Sequence, residues 1–272
     1  HEDLVEVYEI QIRAAPDDAA RVPLLFKLAE LLADTIGETD LAIEKLTIIL
    51  QIAPGYLPAL KLISSLFMRQ GRWADLVTMY EAELAEIADR DQAVFLLEKV
   101  GSIAENQLDD IPRAIGAYQR MLDRVPGYLP ALRSLGRLYA KTEQWAKLVQ
   151  INDEESQIVG DQNQVVSLLY RNGDIFADKM GDLERAIDRY QKPLTLMPNY
   201  LPALKALGGI FAKSGRFEDL IGMHRQEADV ARTQMQRSHL LFQIAQLCDE
   251  KLGDKKRASQ AYRELLEEKP GY

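Results

Sequence analysis

The residues in this sequence with the clearest potential for chemistry are basic side chains that recur at a fixed spacing. Two rows step by 72 residues, namely Lys61, Arg133 and Lys205 in one, and Lys27, Lys99 and Arg171 in the other. Gln243 interrupts the second row at its next step. Basic side chains aligned on one surface bind carboxylates through charge-assisted hydrogen bonds. The two rows therefore predict a surface that binds an acidic peptide or a C-terminal carboxylate.

No grouping of residues in the sequence requires catalysis or a metal ion. The three histidines are His1, His224 and His239. No pair of them has the helical spacing of a zinc site, and the single cysteine, Cys248, cannot build a thiolate site. His224 replaces Tyr80 at an equivalent position, which predicts a packing role. We therefore predict a non-enzymatic protein with no catalytic residue, no metal site and no cofactor.

The positions of the basic residues follow from an internal repeat. Near-identical segments with the pattern Pro-Gly-Tyr, in one copy Pro-Asn-Tyr, begin 72 residues apart at Pro54, Pro126, Pro198 and Pro270. A fixed period of this kind indicates units that bury their apolar faces by stacking on their neighbours. We predict one elongated domain over residues 1–272, with units at 1–72, 73–144, 145–216 and 217–272. Because the sequence has no initial Met and stops where a further unit would begin, we expect a fragment of a longer chain.

Each unit has the pattern of four helices, arranged as two antiparallel pairs. Pro58, Pro130 and Pro202 occur where the first turn of a helix tolerates a missing N–H group, which predicts helices at about 58–70, 130–142 and 202–214. Apolar residues follow at helical spacing, and short turns that contain glycine separate the helices. The whole sequence predicts about fifteen antiparallel helices, and no segment has the strict alternation of a strand.

These patterns resemble the tetratricopeptide repeat family along essentially the whole chain. The first-helix half of the motif matches Leu207, Gly208, Phe211 and Gly215, and the second-helix half matches Gly181, Ala186, Tyr190 and Pro198. Glu83, Glu155 and Glu227 depart from the motif because the family usually has a small residue there. The resemblance implies an all-α, right-handed superhelix whose inner face is lined by the first helix of each pair. It also implies a groove that binds peptides or partner proteins.

The resemblance places the basic residues of the first helices on that inner face. The candidate peptide-binding residues of the groove are Lys27, Lys61, Lys99, Arg133, Arg137, Arg171 and Lys205. The family has a carboxylate clamp of Lys, Asn and Arg on these helices, but only the cations match here. Ser65, Arg137 and Gly209 stand where the Asn would be expected. The alternative is that these cations form ion pairs with Glu83, Glu155 or other neighbouring acids.

Charge and composition restrict the classes of partner. The net charge of −9 argues against nucleic acid and against anionic membrane surfaces, and no apolar stretch is long enough to enter a bilayer. RNA binding by helical-pair repeats is disfavoured for the same reason. The expected function is a scaffold for a protein or peptide, with an acidic partner favoured by the cation rows. The alternative is a structural spacer, or an array that self-associates end to end because neither terminus has a polar capping helix.

Overall fold

The computed structural model describes residues 2–272, and these residues form fifteen α-helices and no β-strand. The prediction of an all-α solenoid of about fifteen helices is confirmed. The chain divides into two compact units, the first ending at Leu138 and the second comprising Tyr139–Tyr272, and each is described by itself. Within a unit, close helix packing is between helices that follow one another in the chain.

The first unit contains helices α1 to α7 and most of α8. Their bounds are α1 Glu2–Ala14, α2 Asp18–Glu30, α3 Thr39–Ile52, α4 Leu57–Gln70, α5 Trp73–Glu86, α6 Arg90–Asn106, α7 Ile111–Arg124 and α8 Leu129–Lys141. Helix α2 continues as a π-helical segment, Leu31–Ile36. The even-numbered helices are the first helices of the predicted pairs, and the odd-numbered helices are the second helices.

The second unit begins within the last turn of α8 and continues to the end of the chain. Its other helices are α9 Trp145–Ile158, α10 Gln162–Asp174, α11 Leu183–Leu196, α12 Leu201–Lys213, α13 Phe217–Asp229, α14 Gln234–Gln246 and α15 Lys255–Glu268. Helices α10 and α14 also continue as π-helical segments, Ile175–Lys179 and Leu247–Lys251. The proline-started helices α4, α8 and α12 each begin one residue before the predicted position.

The helix ends repeat as regularly as the sequence does. The N-cap side chains of α2, α6, α10 and α14 each accept a backbone N–H group and are Asp17, Asp89, Asp161 and Thr233. Capping of this kind satisfies N–H groups that have no partner within the helix. Gly71 and Gly215, with φ of 66° and 69°, turn the chain after α4 and α12. Glycine adopts this left-handed conformation without steric cost.

Contact between a small residue and an aromatic ring fixes the packing of a first helix on the next second helix. A Cβ atom on Gly101 would lie 2.7 Å from the ring of Tyr118, and one on Gly173 would lie 2.4 Å from Tyr190. Both distances are too short for a real Cβ contact, so only glycine allows this approach. In the part of the chain that the structure describes, no helix has both the length and the apolar character that a membrane span requires.

Candidate functional site

Each unit contains a cleft that is formed by two first helices and the second helix between them. The first cleft lies among α4, α5 and α6, has a volume of about 310 Å³, and includes Leu57, Lys61, Ser64, Tyr80, Phe95 and Leu96 in its lining. The second cleft lies among α12, α13 and α14, has a volume of about 930 Å³, and includes Leu201, Lys205, Gly208, His224, His239 and Leu240. Ligand sites in proteins have volumes of about 300–1,000 Å³, so both clefts are of a suitable size.

An arginine at the start of α5 holds the helix pair that forms the first cleft. The Arg72 Nε atom donates to Asp75 Oδ2 at 2.6 Å, and its guanidinium carbon lies 4.8 Å from the centre of the Phe67 ring. Arg72 also donates to Asp40 on α3 at 3.1 Å. This side chain therefore ties the beginning of α5 to the end of α4 and to the preceding second helix.

The second cleft is held by the same device. The Arg216 Nε atom donates to Asp219 Oδ2 at 2.7 Å, and its guanidinium carbon also lies 4.8 Å from the centre of a ring, that of Phe211. Arg216 pairs with Glu184 on α11 at 3.6 Å. The two clefts are therefore built on matching frames, although they belong to different units.

The structure places two of the predicted basic residues in these clefts. Lys61 on α4 contributes to the first cleft, and Lys205 on α12 contributes to the second. Both side chains are exposed, and neither forms an ion pair with any residue between 2 and 272. The carboxylates of Glu83 and Glu227 are engaged elsewhere. The cations of the cleft walls are therefore available to a partner.

The other predicted basic residues lie on first helices outside the two clefts. Lys27 on α2 and Arg171 on α10 are exposed and form no ion pair within the described residues. Lys99 on α6 is exposed, with its Nζ atom 5.1 Å from the centre of the Phe95 ring. Arg133 on α8 is exposed. That these residues bind a peptide stays a prediction.

Arg137 differs from the other candidates because its charge is already paired. Its Nε and Nη2 atoms donate to the two carboxylate oxygens of Glu105 at 3.0 and 2.7 Å. This two-point contact joins α8 to α6, and the hydrogen bond raises the pKa of Arg137. A free carboxylate would have to displace Glu105, so Arg137 is a weaker candidate than the sequence suggested.

Glu83 does not pair with the basic residues, although it is buried beside them on α5. Its carboxylate accepts the N–H group of Gly55 at 2.6 Å, and only 6% of the residue is exposed. Burial raises the pKa of Glu83, and the hydrogen bond from Gly55 opposes that shift. The residue that departs from the family motif therefore attaches α5 to the turn before α4.

The histidines of the second cleft have no counterparts of the same type in the first. The His224 Nδ1 atom lies 3.0 Å from Glu227 Oε2, and both side chains are largely buried at the cleft wall. His239 is exposed on α14. His1 lies outside the described residues. Among residues 2–272, no group of His, Cys, Asp and Glu side chains is arranged to hold a metal ion.

A buried polar network in the second unit was missed from the sequence. Asn172 is fully buried, accepts from Asn152 at 2.8 Å and donates to Asp153 at 2.8 Å. Arg189 donates to both oxygens of Asp153 at 2.7 Å. The equivalent positions of Asn172 are Val100 and Ile244. A polar residue within an otherwise apolar stripe is the signal that could have revealed this network.

Comparison with known proteins agrees with this geometry. The sequence model of the tetratricopeptide repeat matches residues 59–95 and 203–236. These two segments contain most of the elements that form the first and the second cleft. No curated protein sequence matches this chain.

Three solved structures illustrate the similarity of fold. The structure of Naa15/Naa10 bound to HypK-THB has a TM-score of 0.52 at 15% identity, and the match covers 98% of this chain and 40% of that chain. The C-terminal part of a TPR repeat-containing protein from Cytophaga hutchinsonii has a TM-score of 0.42 at 16% identity, covering 91% and 96%. YrrB, a TPR protein with an unusual peptide-binding site, has a TM-score of 0.37 at 18% identity, covering 67% and 90%.

The repeat period, the paired helices, the glycine–aromatic contacts and the sequence match all agree. Proteins of this kind typically serve as non-enzymatic modules for protein interaction. The chain belongs to the tetratricopeptide repeat family.

Proposed function

We propose that this chain is a scaffold that binds an acidic segment of a partner protein along the exposed faces of its first helices. The observation that carries the proposal is a difference in how its cations are used. Lys27, Lys61, Arg171 and Lys205, all on first helices, are exposed and form no ion pair with another described residue. In a chain with a net charge of −9, these cations provide local sites for carboxylates.

The second helices use their arginines differently. Ion pairs connect consecutive second helices in both units: Arg113–Glu81, Arg189–Asp153, Arg225–Glu264 and Arg257–Glu218. The hydrogen bond from Arg257 lowers the pKa of Glu218, and that from Arg225 lowers the pKa of Glu264. The surface of the second helices is thus internally neutralised, whereas the first helices retain charge for a partner.

The clefts add apolar contact to this charge. Leu57 and Leu201 are exposed at equivalent positions beside Lys61 and Lys205. An exposed ion pair contributes only about 0–1 kcal/mol, so charge alone gives weak and salt-sensitive binding. Apolar side chains of the partner that enter the clefts would supply the remaining affinity.

A charge-reversal experiment tests the proposal. The variant Lys61→Glu with Lys205→Glu is compared with Arg120→Glu with Lys256→Glu, which makes the same charge change at exposed sites on second helices. The probe is a fluorescein-labelled peptide of alternating glutamate and leucine, and its lysine–leucine counterpart serves as the charge control. Because each reversal removes an attraction and adds a repulsion, we expect about tenfold weaker binding of the acidic peptide.

Fluorescence anisotropy at low and at physiological ionic strength provides the measurement. The control pair should bind the acidic peptide nearly as well as the original protein does. Equal loss in both double variants would mean that only net charge matters, and preference for the lysine peptide would contradict an acidic partner.

Self-association is a second candidate function, and an exposed apolar stripe on α1 favours it. Leu4, Val7 and Ile10 are 44%, 46% and 55% exposed and lie on one side of this helix. A helix face of this kind is normally covered by another helix. Sedimentation velocity over a range of concentrations tests this alternative. A mass that rises with concentration and falls back in Val7→Glu would support it, and a constant monomer would contradict it.

A further inference from the structure

The first and second clefts are two copies of one site. All ten residues that line the first cleft have a counterpart in the lining of the second cleft, 144 residues later in the chain. Five of the ten are identical in type, including Leu60 and Leu204, Lys61 and Lys205, and Gln92 and Gln236. The two linings can therefore be compared position by position.

At the other five positions the second cleft has the smaller residue. On the first helices, Ser64 is replaced by Gly208, Met68 by Ala212 and Phe95 by His239. On the second helix and after it, Tyr80 is replaced by His224 and Ile87 by Ala231. Five reductions at one site, together with an extension of the cleft along α14, account for the change from about 310 to about 930 Å³.

In the first cleft, the chain itself fills the space. Tyr80 is only 6% exposed, and its hydroxyl donates to Ser64 Oγ at 2.8 Å. Ser64 in turn donates to the carbonyl of Leu60. With Gly208 and His224 at the equivalent positions, the second cleft has neither of these hydroxyl groups.

The second cleft has an apolar floor and a rim with more positive than negative charge. Leu204 and Leu220 form part of the floor and are buried. The rim contains the three cations Lys205, Arg232 and Lys251 and the two acids Glu227 and Glu250, and Glu227 is held by His224. The sum of three positive and two negative charges is +1, in a chain whose total is −9.

We infer that the second cleft is the anchor site of the scaffold and takes one aromatic side chain of an acidic peptide segment, whereas the first cleft is closed to it. This inference rests on the proposed function. The ring of the partner would occupy the volume that Tyr80, Phe95 and Met68 occupy in the first cleft. Carboxylates next to that ring would meet the cations of the rim. Aromatic anchors in desolvated pockets provide much of the energy of such interfaces.

Refilling the cleft tests the inference without disturbing the core. Ala212 and His239 are exposed, so Ala212→Met with His239→Phe restores the first-cleft residues without burying a new side chain in the core. A Cβ on Gly208 would approach only Leu220, at 3.5 Å, so Gly208→Ser with His224→Tyr is a second, independent refill. Ser259→Met adds the same side chain on an exposed part of α15 outside the cleft and serves as the control.

The probe is a fluorescein-labelled peptide with one tryptophan flanked by two glutamates on each side. Peptides with alanine in place of tryptophan, and with lysines in place of the glutamates, separate the contributions of ring and charge. We expect each refilled variant to bind the tryptophan–glutamate peptide at least about tenfold more weakly, because the anchor contact is lost, and Ser259→Met to bind it normally. Circular dichroism and melting temperature confirm that each variant is folded.

The outcomes distinguish this inference from the proposed function. Normal binding by both folded, refilled variants would overturn the anchor site but leave acidic-peptide binding intact. Equal affinity of the unmodified protein for the alanine and tryptophan peptides would also overturn the anchor site. Absence of binding to every glutamate peptide would overturn both.

Discussion

The first and second clefts show how one frame produces two different surfaces. Both have a leucine-rich floor, an exposed lysine on the wall and an arginine that stacks on a phenylalanine at the same 4.8 Å distance. They differ where side chains enter the space, since Tyr80 fills the first cleft and His224 leaves the second open. In these repeats, the residues that fix the helices are therefore separate from those that decide whether a ligand can enter.

That separation has a physical basis in the repeated contacts. Turns, caps and glycine–aromatic contacts lie between helices, and they hold each pair in place whatever lines the cleft. A substitution in the cleft lining changes local volume and polarity but leaves these contacts intact. The comparison can be broken by showing that lining residues stabilise both clefts equally, and it can be sharpened by exchanging residues between copies.

The largest difference is expected when the ring is removed from each cleft. Tyr80→Ala should lower the free energy of unfolding by about 3–5 kcal/mol, because it leaves a cavity and deprives Ser64 of its hydrogen-bond donor. His224→Ala should cost only about 1 kcal/mol, because the second cleft is already open. Urea unfolding, with amide hydrogen exchange in α4 and α12, measures both effects locally.

Tyr80→Phe is the control for the hydroxyl group alone. It keeps the ring, so it should cost about 0.5–1.5 kcal/mol, the typical value of one hydrogen bond. If His224→Ala destabilised its unit as much as Tyr80→Ala does, the second cleft would be as well packed as the first, and the contrast would fail.

The frame could be predicted from the sequence because it depends on local signals that repeat. Proline in the first helical turn, glycine after the helix, and apolar residues at helical spacing each have one structural interpretation. The helix that follows Leu57 and the turn at Gly71 are examples. These signals are confirmed when they recur one period later.

The cleft and the polar contacts could not be predicted in the same way, because they depend on residues that are distant in sequence. Glu83 could have paired with a cation, and only the packing of α5 against the preceding turn shows that it accepts the Gly55 N–H group. Likewise, the size of the second cleft results from reductions on three helices together. No single one of them distinguishes an open cleft from a shifted core.

The contact of Glu83 leads to a prediction about pH. Burial raises the pKa of this carboxyl group above its ordinary value of 4.5, so the folded protein binds its proton more readily than the unfolded chain does. Stability from this group is therefore present at low pH and is lost as the pH rises through the window above 4.5. Glu83→Gln keeps an acceptor for Gly55 without the charge, so its melting temperature should gain on that of the original protein as the pH rises from 4.5 to 7.

Glu98→Gln removes a charge from an exposed position on α6, in the same unit, and is the matched control. Thermal unfolding at several pH values measures the difference between the two variants. A profile in which Glu83→Gln loses ground with rising pH would show that the hydrogen bond from Gly55 outweighs burial. In that case the carboxylate would be a stabilising contact of the first unit.

The smallest effect is expected at a turn, where exchange between copies should be harmless or favourable. Glu143 adopts a φ of 55° at the position where the other copies have Gly71 and Gly215. A side chain in this left-handed conformation costs about 1–2 kcal/mol, and glycine returns about 0.5–1 kcal/mol of that through the greater entropy of its unfolded state. Glu143→Gly should therefore raise stability by about 0.5–1 kcal/mol and the melting temperature by about 1–4 °C, as measured by calorimetry.

The reciprocal change, Gly215→Glu, should lower stability by a similar amount. The hydrogen bonds from the Glu143 N–H group to Ala140 and from the Trp145 N–H group to the Glu143 carbonyl involve only backbone atoms, so both can form with glycine. If Glu143→Gly lowered the melting temperature, the turn after α8 would depend on its own side chain. If it raises the melting temperature, frame residues can be exchanged between copies, and the differences between Tyr80 and His224 are specific to the clefts.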